Sequence, residues 1–110
     1  MAATISGNTI SLTRGDTLYL TVVMTKDGAA YTPVEGEKVR FAMKNKISDE
    51  EEPIILKDIP IDTMTLKIEP EDTKPLKYGV YKYDIEYTSV DGDVDTFIGP
   101  ANFNITEEVY

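Results

Sequence analysis

Apolar and polar residues alternate with a period of two along most of the chain, and the chain is organised around two such arms flanking a proline-containing crossover. In the first arm Met64, Leu66 and Ile68 alternate with Thr65 and Lys67; in the second Tyr81, Tyr83, Ile85 and Tyr87 alternate with Lys82, Asp84 and Glu86. That period puts one set of side chains on a buried face and the other in water, so both arms are predicted to be strands. Between them Pro70, Pro75 and a run of short polar residues cannot continue a ladder, while Leu76 supplies one apolar side chain to tuck under the loop. The stretch from Thr63 to Thr88 therefore reads as a corner that passes the chain from one sheet to another.

The same pattern places the remaining strands. Thr9–Thr13 forms a short first strand, turned by Arg14-Gly15-Asp16. Thr17–Thr25 reads as one strand, with Leu18, Leu20, Val22 and Met24 inward and Tyr19, Thr21, Val23 and Thr25 outward, closed by Lys26-Asp27-Gly28. Ala29–Glu37, with Pro33 and Gly36, reads as a connection crossing to the other sheet. Lys38–Lys44 is a strand with Val39, Phe41 and Met43 inward. Ile54–Ile59 is a strand whose facing the pattern leaves open, and Pro60-Ile61-Asp62 turns it into a hairpin with the Met64 arm. Ser89–Asp93 is an Asp-Gly hairpin turn. The last strand, Thr96–Thr106, is interrupted at Gly99-Pro100, where a bulge or a change of neighbour is expected because proline cannot donate to a ladder.

About seven short strands, with turn signals recurring roughly every eight to twelve residues, predict an all-β fold. The expected architecture is an antiparallel β-sandwich of Ig-like Greek-key topology, formed as a single domain by residues 1–110. The Gly79-Val80-Tyr81 spacing resembles a tyrosine corner, in which the Tyr81 hydroxyl bonds a backbone group in the 70–78 crossover.

Composition narrows the chemistry. Among 110 residues there is neither cysteine nor histidine, which excludes disulfides, Cys/His zinc sites, catalytic thiols and every scheme that uses imidazole. The net charge of −9 argues against a nucleic-acid partner, since such a surface repels phosphates. The imbalance lies in residues 48–110, where five basic side chains face sixteen acidic ones; a solvated acidic surface accounts for it. Met1-Ala2-Ala3 leads into polar sequence with neither a basic n-region nor an apolar h-region, and no run approaches membrane-spanning length. A soluble, cytoplasmically folded protein without a membrane partner is expected.

Several short motifs invite a function and lose to a simpler account. Arg14-Gly15-Asp16 matches the integrin-binding tripeptide, but Gly and Asp between two strands are ordinary turn chemistry. The carboxylates Asp49-Glu50-Glu51-Glu52 repel one another, and nothing in their spacing places them around one ion. Asp91, Asp93 and Asp95 open like an EF-hand loop, yet its Gly and closing Glu positions hold Thr96 and Asn102. Asn104-Ile105-Thr106 is a glycosylation sequon within a strand. No phosphate-binding glycine loop occurs, and the carboxylates alternate outward or sit in turns rather than flanking a cleft, so no enzyme, cofactor or metal site is expected. Two non-enzymatic classes are left: an assembly protein, and a carbohydrate-binding or adhesive module. Tryptophan is absent, and the tyrosines outside the core parity are Tyr19, Tyr31, Tyr78 and Tyr110. Tyr19 with Val23, on the outer side of the second strand, is the candidate contact patch.

Five blocks in order carry a family likeness: Ile10-Ser11-Leu12-Thr13-Arg14-Gly15-Asp16-Thr17, Val39-Arg40-Phe41-Ala42-Met43-Lys44, Leu66-Lys67-Ile68-Glu69-Pro70-Glu71-Asp72-Thr73, Tyr78-Gly79-Val80-Tyr81-Lys82-Tyr83-Asp84-Ile85 and Asp91-Gly92-Asp93-Val94-Asp95-Thr96-Phe97. Together they resemble the Ig-like domain at the N-terminus of bacteriophage baseplate upper proteins, and small relatives in phages and prophages of Gram-positive bacteria. The likeness spans nearly the whole chain and implies a virion structural protein, assembled in the bacterial host cytoplasm. Its partners would be other virion proteins or copies of itself, with a homo-oligomer in view and no catalytic residues to transfer. The stalk or receptor-binding region of baseplate proteins has no counterpart here, so tail, head and decoration roles stand beside the baseplate.

Overall fold

A computed structural model describes residues 3–6, 8–26, 28–45 and 52–107. In chain order its elements are β1 (Ala3–Ser6), β2 (Thr9–Thr13), β3 (Leu18–Thr21), β4 (Met24–Lys26), β5 (Ala29–Tyr31), β6 (Lys38–Lys44), β7 (Ile55–Ile59), β8 (Thr65–Ile68), a single helical turn α1 (Pro70–Thr73), β9 (Gly79–Thr88) and β10 (Val94–Thr106). The fold is mostly β. A six-stranded sheet runs β1-β2-β10-β9-β6-β7, and two-stranded sheets pair β3 with β8 and β4 with β5.

The core lies between the large sheet and the β3–β8 pair. Val39, Phe41 and Met43 of β6, Tyr81, Tyr83, Ile85 and Tyr87 of β9, and Phe103 and Ile105 of β10 are buried on one side, with Leu18, Leu66 and Ile68 on the other. Both parities predicted for β6 and β9 hold, because one face of the large sheet packs on the core and the other is left to solvent. Phe41 stacks on Tyr83 at 5.4 Å between centroids, and Phe103 stands edge-on to both rings at 6.2 and 6.0 Å, the offset and T-shaped geometries that aromatic quadrupoles favour. Ile55 and Ile59 resolve the facing of β7: they point inward and leave Leu56 exposed.

The crossover from β8 to β9 does join the two sheets, and the prolines do more there than end a strand. Pro70 opens α1, whose first turn is closed when the Asp72 carboxylate accepts from the Glu69 N–H at 2.7 Å. Thr73 is fully buried beneath the turn, and Leu76 packs against the core.

Five expectations need correction. The large sheet is mixed rather than antiparallel: β2 runs parallel to β10, from Ile10 opposite Phe103 to Thr13 opposite Thr106. The described residues form ten strands rather than about seven, since β1 and β5 were not expected and the Thr17–Thr25 strand is two. That strand breaks at Val22-Val23, where β8 ends; Val22 makes a last bond to the Met64 carbonyl at 2.8 Å, and β4 then takes β5 as a new neighbour. Part of the Ala29–Glu37 connection is accordingly β5, in a hairpin with β4. Finally, β7 and β8 make no hairpin. β7 pairs with β6 and β8 with β3, because the turn from Pro60 to Met64, closed by Met64 N–H on the Pro60 carbonyl at 2.7 Å with Met64 at φ 52°, carries the chain across the core.

At Gly99-Pro100 β10 bulges, shifting register against β9 between Thr96 and Ile98 and again between Ile98 and Ala101. The bulge lies against β9 so closely that a Cβ on Gly99 would sit 2.6 Å from the Tyr83 carbonyl oxygen and 2.9 Å from the Asp84 Cα.

Candidate functional site

The outward residues of the β3–β8 pair form the surface singled out from the sequence. Tyr19 and Val23 are 64% and 71% exposed, among the most exposed large apolar side chains described. Tyr19 faces Lys67 on β8, whose ammonium lies 5.4 Å from the ring centroid and is paired with Glu69 at 3.0 Å. One step along, Thr21 and Thr65 share a hydroxyl hydrogen bond of 3.1 Å. The face therefore reads Tyr19–Lys67, Thr21–Thr65, with Val23 at the point where the strand breaks.

The two free edges of this small sheet differ. On the β8 side the Lys67 carbonyl accepts from Lys57 Nζ at 3.1 Å, and the same ammonium pairs with Asp72 at 2.5 Å. A lysine from β7 thus closes that edge, a common way of blunting an unpaired strand. Beside β3 lies a cleft of about 280 Å³ lined by Asn8, Ile10, Leu20, Val22, Tyr83, Ile85 and Ile98 along with Thr21 and Val23. Its floor is core aliphatic surface, and among the described residues no charged side chain lines it.

The other tyrosines outside the core parity divide. Tyr31 is half-buried rather than exposed: its hydroxyl donates to Glu37 Oε1 at 2.6 Å, where the Val34 N–H also donates at 2.8 Å, while the Tyr87 hydroxyl donates to Oε2. Glu37 is itself buried, so one carboxylate ties the loop before β6 to the central strand β9. No pattern in the sequence marks this role, since a glutamate after Gly36 looks like any loop carboxylate. Hydrogen bonding to Glu37, with burial, raises the pKa values of Tyr31 and Tyr87, because an ionised phenol beside that carboxylate would lose its donated proton. Burial also raises that of Tyr83, whose hydroxyl donates to the Asn8 carbonyl. Tyr78 is exposed in part, with the Arg14 guanidinium 4.5 Å from its ring centroid, and Tyr110 lies outside the described residues.

Tyr81 occupies the corner proper. Its side chain is buried and its hydroxyl donates to the Lys77 carbonyl at 2.7 Å, holding the crossover against β9. The Arg14-Gly15-Asp16 turn is docked on the same crossover: Arg14 Nη1 donates to the Leu76 carbonyl at 3.1 Å and the Gly15 N–H to Thr73 Oγ1 at 2.8 Å. Its arginine is a strut between the β2–β3 turn and the corner.

Among the described residues no three acidic side chains converge as metal ligands would. Asp91, Asp93 and Asp95 are exposed in the β9–β10 turn and its exit, where Asp93 N–H bonds Ser89 Oγ at 3.1 Å. Of the acidic run Asp49–Glu52, residues 49–51 lie outside the described residues. Asp84 is the notable carboxylate of the outer face: burial first, then the Glu86 charge, raise its pKa against the opposing pull of Lys44 and Arg40. Neither the models of known protein families nor the curated proteins include a match to this chain.

Proposed function

We propose that this chain is a non-enzymatic structural protein of a bacteriophage or prophage virion, an assembly module of baseplate or tail type that works through protein–protein contacts. The module is an Ig-like sandwich of Greek-key topology. The order β2-β10-β9-β6-β7 facing β3–β8, with first and last core strands parallel and a tyrosine bracing the corner before β9, is what such a domain would present. The ordered sequence blocks that resemble baseplate upper proteins supply the virion context.

The observation that carries the assembly reading is the β3 side of the molecule, where, among the described residues, an unpaired strand edge, an uncharged and largely apolar cleft and two exposed side chains, Tyr19 and Val23, adjoin. Monomeric proteins usually blunt such edges, as Lys57 does on the other side, so one left open is suited to a partner strand. Mass spectrometry of particles purified after prophage induction tests the proposal: the chain should co-purify with the particles in fixed proportion to other virion proteins. Its absence from them, or a monomer that binds a defined glycan on an array, would replace this reading with the carbohydrate-binding one.

A further inference from the structure

We propose that Glu37 is an acid-sensitive clasp: charged, it fastens the β4–β5 hairpin to the large sheet, and on taking up a proton it releases the hairpin and uncovers Met24 and Met64. The inference goes beyond the assembly reading and does not depend on it.

Among the described residues Glu37 is the only buried side chain that carries a charge. Donors from three places meet it: the Tyr31 hydroxyl of β5, the Tyr87 hydroxyl of β9 and the Val34 N–H of the intervening loop. Tyr31 and Tyr87 also meet edge to face, with ring centroids 6.2 Å apart, so the hairpin touches β9 through the same pair. A carboxylate accepts at both oxygens, whereas a carboxylic acid must itself donate from one of them. Set among three donors, a protonated Glu37 breaks one of these bonds or forces a buried phenol to turn its own proton away. The attachment is therefore complete while Glu37 is charged and is lost as the pH falls through the range in which it takes up a proton. Of the charged groups around it, Glu35 and Lys38 on its own segment are exposed, as are Asp91 and Asp93 in the β9–β10 turn and Asp62 in the turn before β8. Glu86 of β9 pairs with Arg40 of β6 on the outer face of the large sheet.

The hairpin is the part of the molecule that can yield separately. Its strands pair over three residues each and share no ladder with either of the other sheets. Segments so lightly tied open locally at a smaller cost than the whole domain. Between the hairpin and the 60–64 turn lies a cleft of about 210 Å³, lined in part by Val22, Met24, Ala30, Tyr31 and Met64, so lifting the hairpin lets water reach both methionines.

Peroxide converts accessible methionine to its sulfoxide, and the chain carries reporters inside and outside the hairpin region. Met24 and Met64 are 5% and 8% exposed, and Met43 of β6 is fully buried. Peptide mass spectrometry after a short peroxide pulse should find all three protected at pH 7. Lowering the pH to about 3.5, through the ordinary glutamate range, should raise oxidation of Met24 and Met64 by about tenfold while Met43 stays protected. Glu37→Gln should show that rise of about tenfold already at pH 7 and no further rise with acid. Tyr31→Phe removes the hairpin's own bond and leaves Tyr87 on Glu37, so it should raise oxidation at pH 7 by a smaller factor; Glu35→Gln, at an exposed carboxylate of the same loop, should behave as the parent chain. Met43 oxidised in step with Met24 would mean that acid unfolds the whole domain. Met24 and Met64 still protected in acid would mean that the hairpin holds without the charge, and an acid response kept by Glu37→Gln would belong to another carboxylate. Each of these three results overturns the proposal.

Discussion

Gly99 offers a test of how tightly the β10 bulge is seated on the central strand. At φ 103° it occupies the left-handed region, where an alanine costs about 1–2 kcal/mol for conformation alone. Its added Cβ would also meet three atoms of β9 within 3 Å: the Tyr83 oxygen at 2.6 Å, the Asp84 Cβ at 2.8 Å and the Asp84 Cα at 2.9 Å. These belong to a strand held by ladders on both sides and cannot withdraw cheaply, so overpacking adds about 1–3 kcal/mol. Gly99→Ala should therefore lose about 3 kcal/mol, enough to lower Tm by roughly 12–20 °C in a domain of this size. Gly92 is the internal control: its φ is 91°, but nothing lies within 4 Å of its Cβ position, so Gly92→Ala should lose only about 1 kcal/mol. Urea unfolding followed by tyrosine fluorescence, with linear extrapolation, separates the two. If Gly99→Ala comes within about 1 kcal/mol of Gly92→Ala by that measure, the close approach to β9 is not what holds the bulge, and the reasoning fails.

Other expectations follow from the tyrosine contacts and from Asp84. Tyr81→Phe removes the bond to Lys77 and should lower stability by about 1 kcal/mol or more in the same urea assay; an unchanged midpoint would mean that the corner is held by packing alone. Glu37→Gln offers a side-chain nitrogen where one tyrosine hydroxyl needs an acceptor, and should cost about 1–3 kcal/mol; no loss would show that the carboxylate is dispensable to the loop before β6. The pKa values of Tyr31, Tyr83 and Tyr87 are raised above 10.0 in the folded state, so the stability they confer is complete below pH 10.0 and lost as pH climbs through their folded values. Phenolate absorbance should show a lagging class that ionises as the protein unfolds, and a single titration at the ordinary value would contradict this. Asp84 has its pKa raised above 3.8, so its charge opposes folding at neutral pH. Asp84→Asn should raise the melting temperature at pH 7, with the gain shrinking as the solution is acidified toward the ordinary aspartate range; a loss at pH 7 would refute the sign.

The sequence was most informative where one strand sits between two others. β6 and β9 each have two neighbours and one dry face, so Val39, Phe41 and Met43, and Tyr81 through Tyr87, announce themselves by alternation. It was least informative about pairing, because alternation says which way a side chain points and nothing about which strand lies alongside. Ile55–Ile59 and Thr65–Ile68 look like a hairpin in the chain, yet a positive φ at Met64 sends them to different sheets. The parallel contact of β2 with β10 spans most of the sequence and leaves no local trace. At the candidate surface, the exposure of Tyr19 and Val23 was readable from parity, whereas the open edge beside them, the lysine closing the opposite edge and the buried Glu37 all depend on partners distant in the chain.

The partnership of β2 with β10 also bears on when this protein can first exist as a folded object. Thr9–Thr13 meets Ala3–Ser6 close by in the chain, but its second neighbour comes only with Phe103–Thr106, so on a ribosome that flank of the strand must wait until β10 has been made. The large sheet can therefore close only once β10 is available, and the closing step should be slow because its contact joins residues so far apart. A nascent chain truncated before Phe103 and held on the ribosome should accordingly remain protease-sensitive throughout.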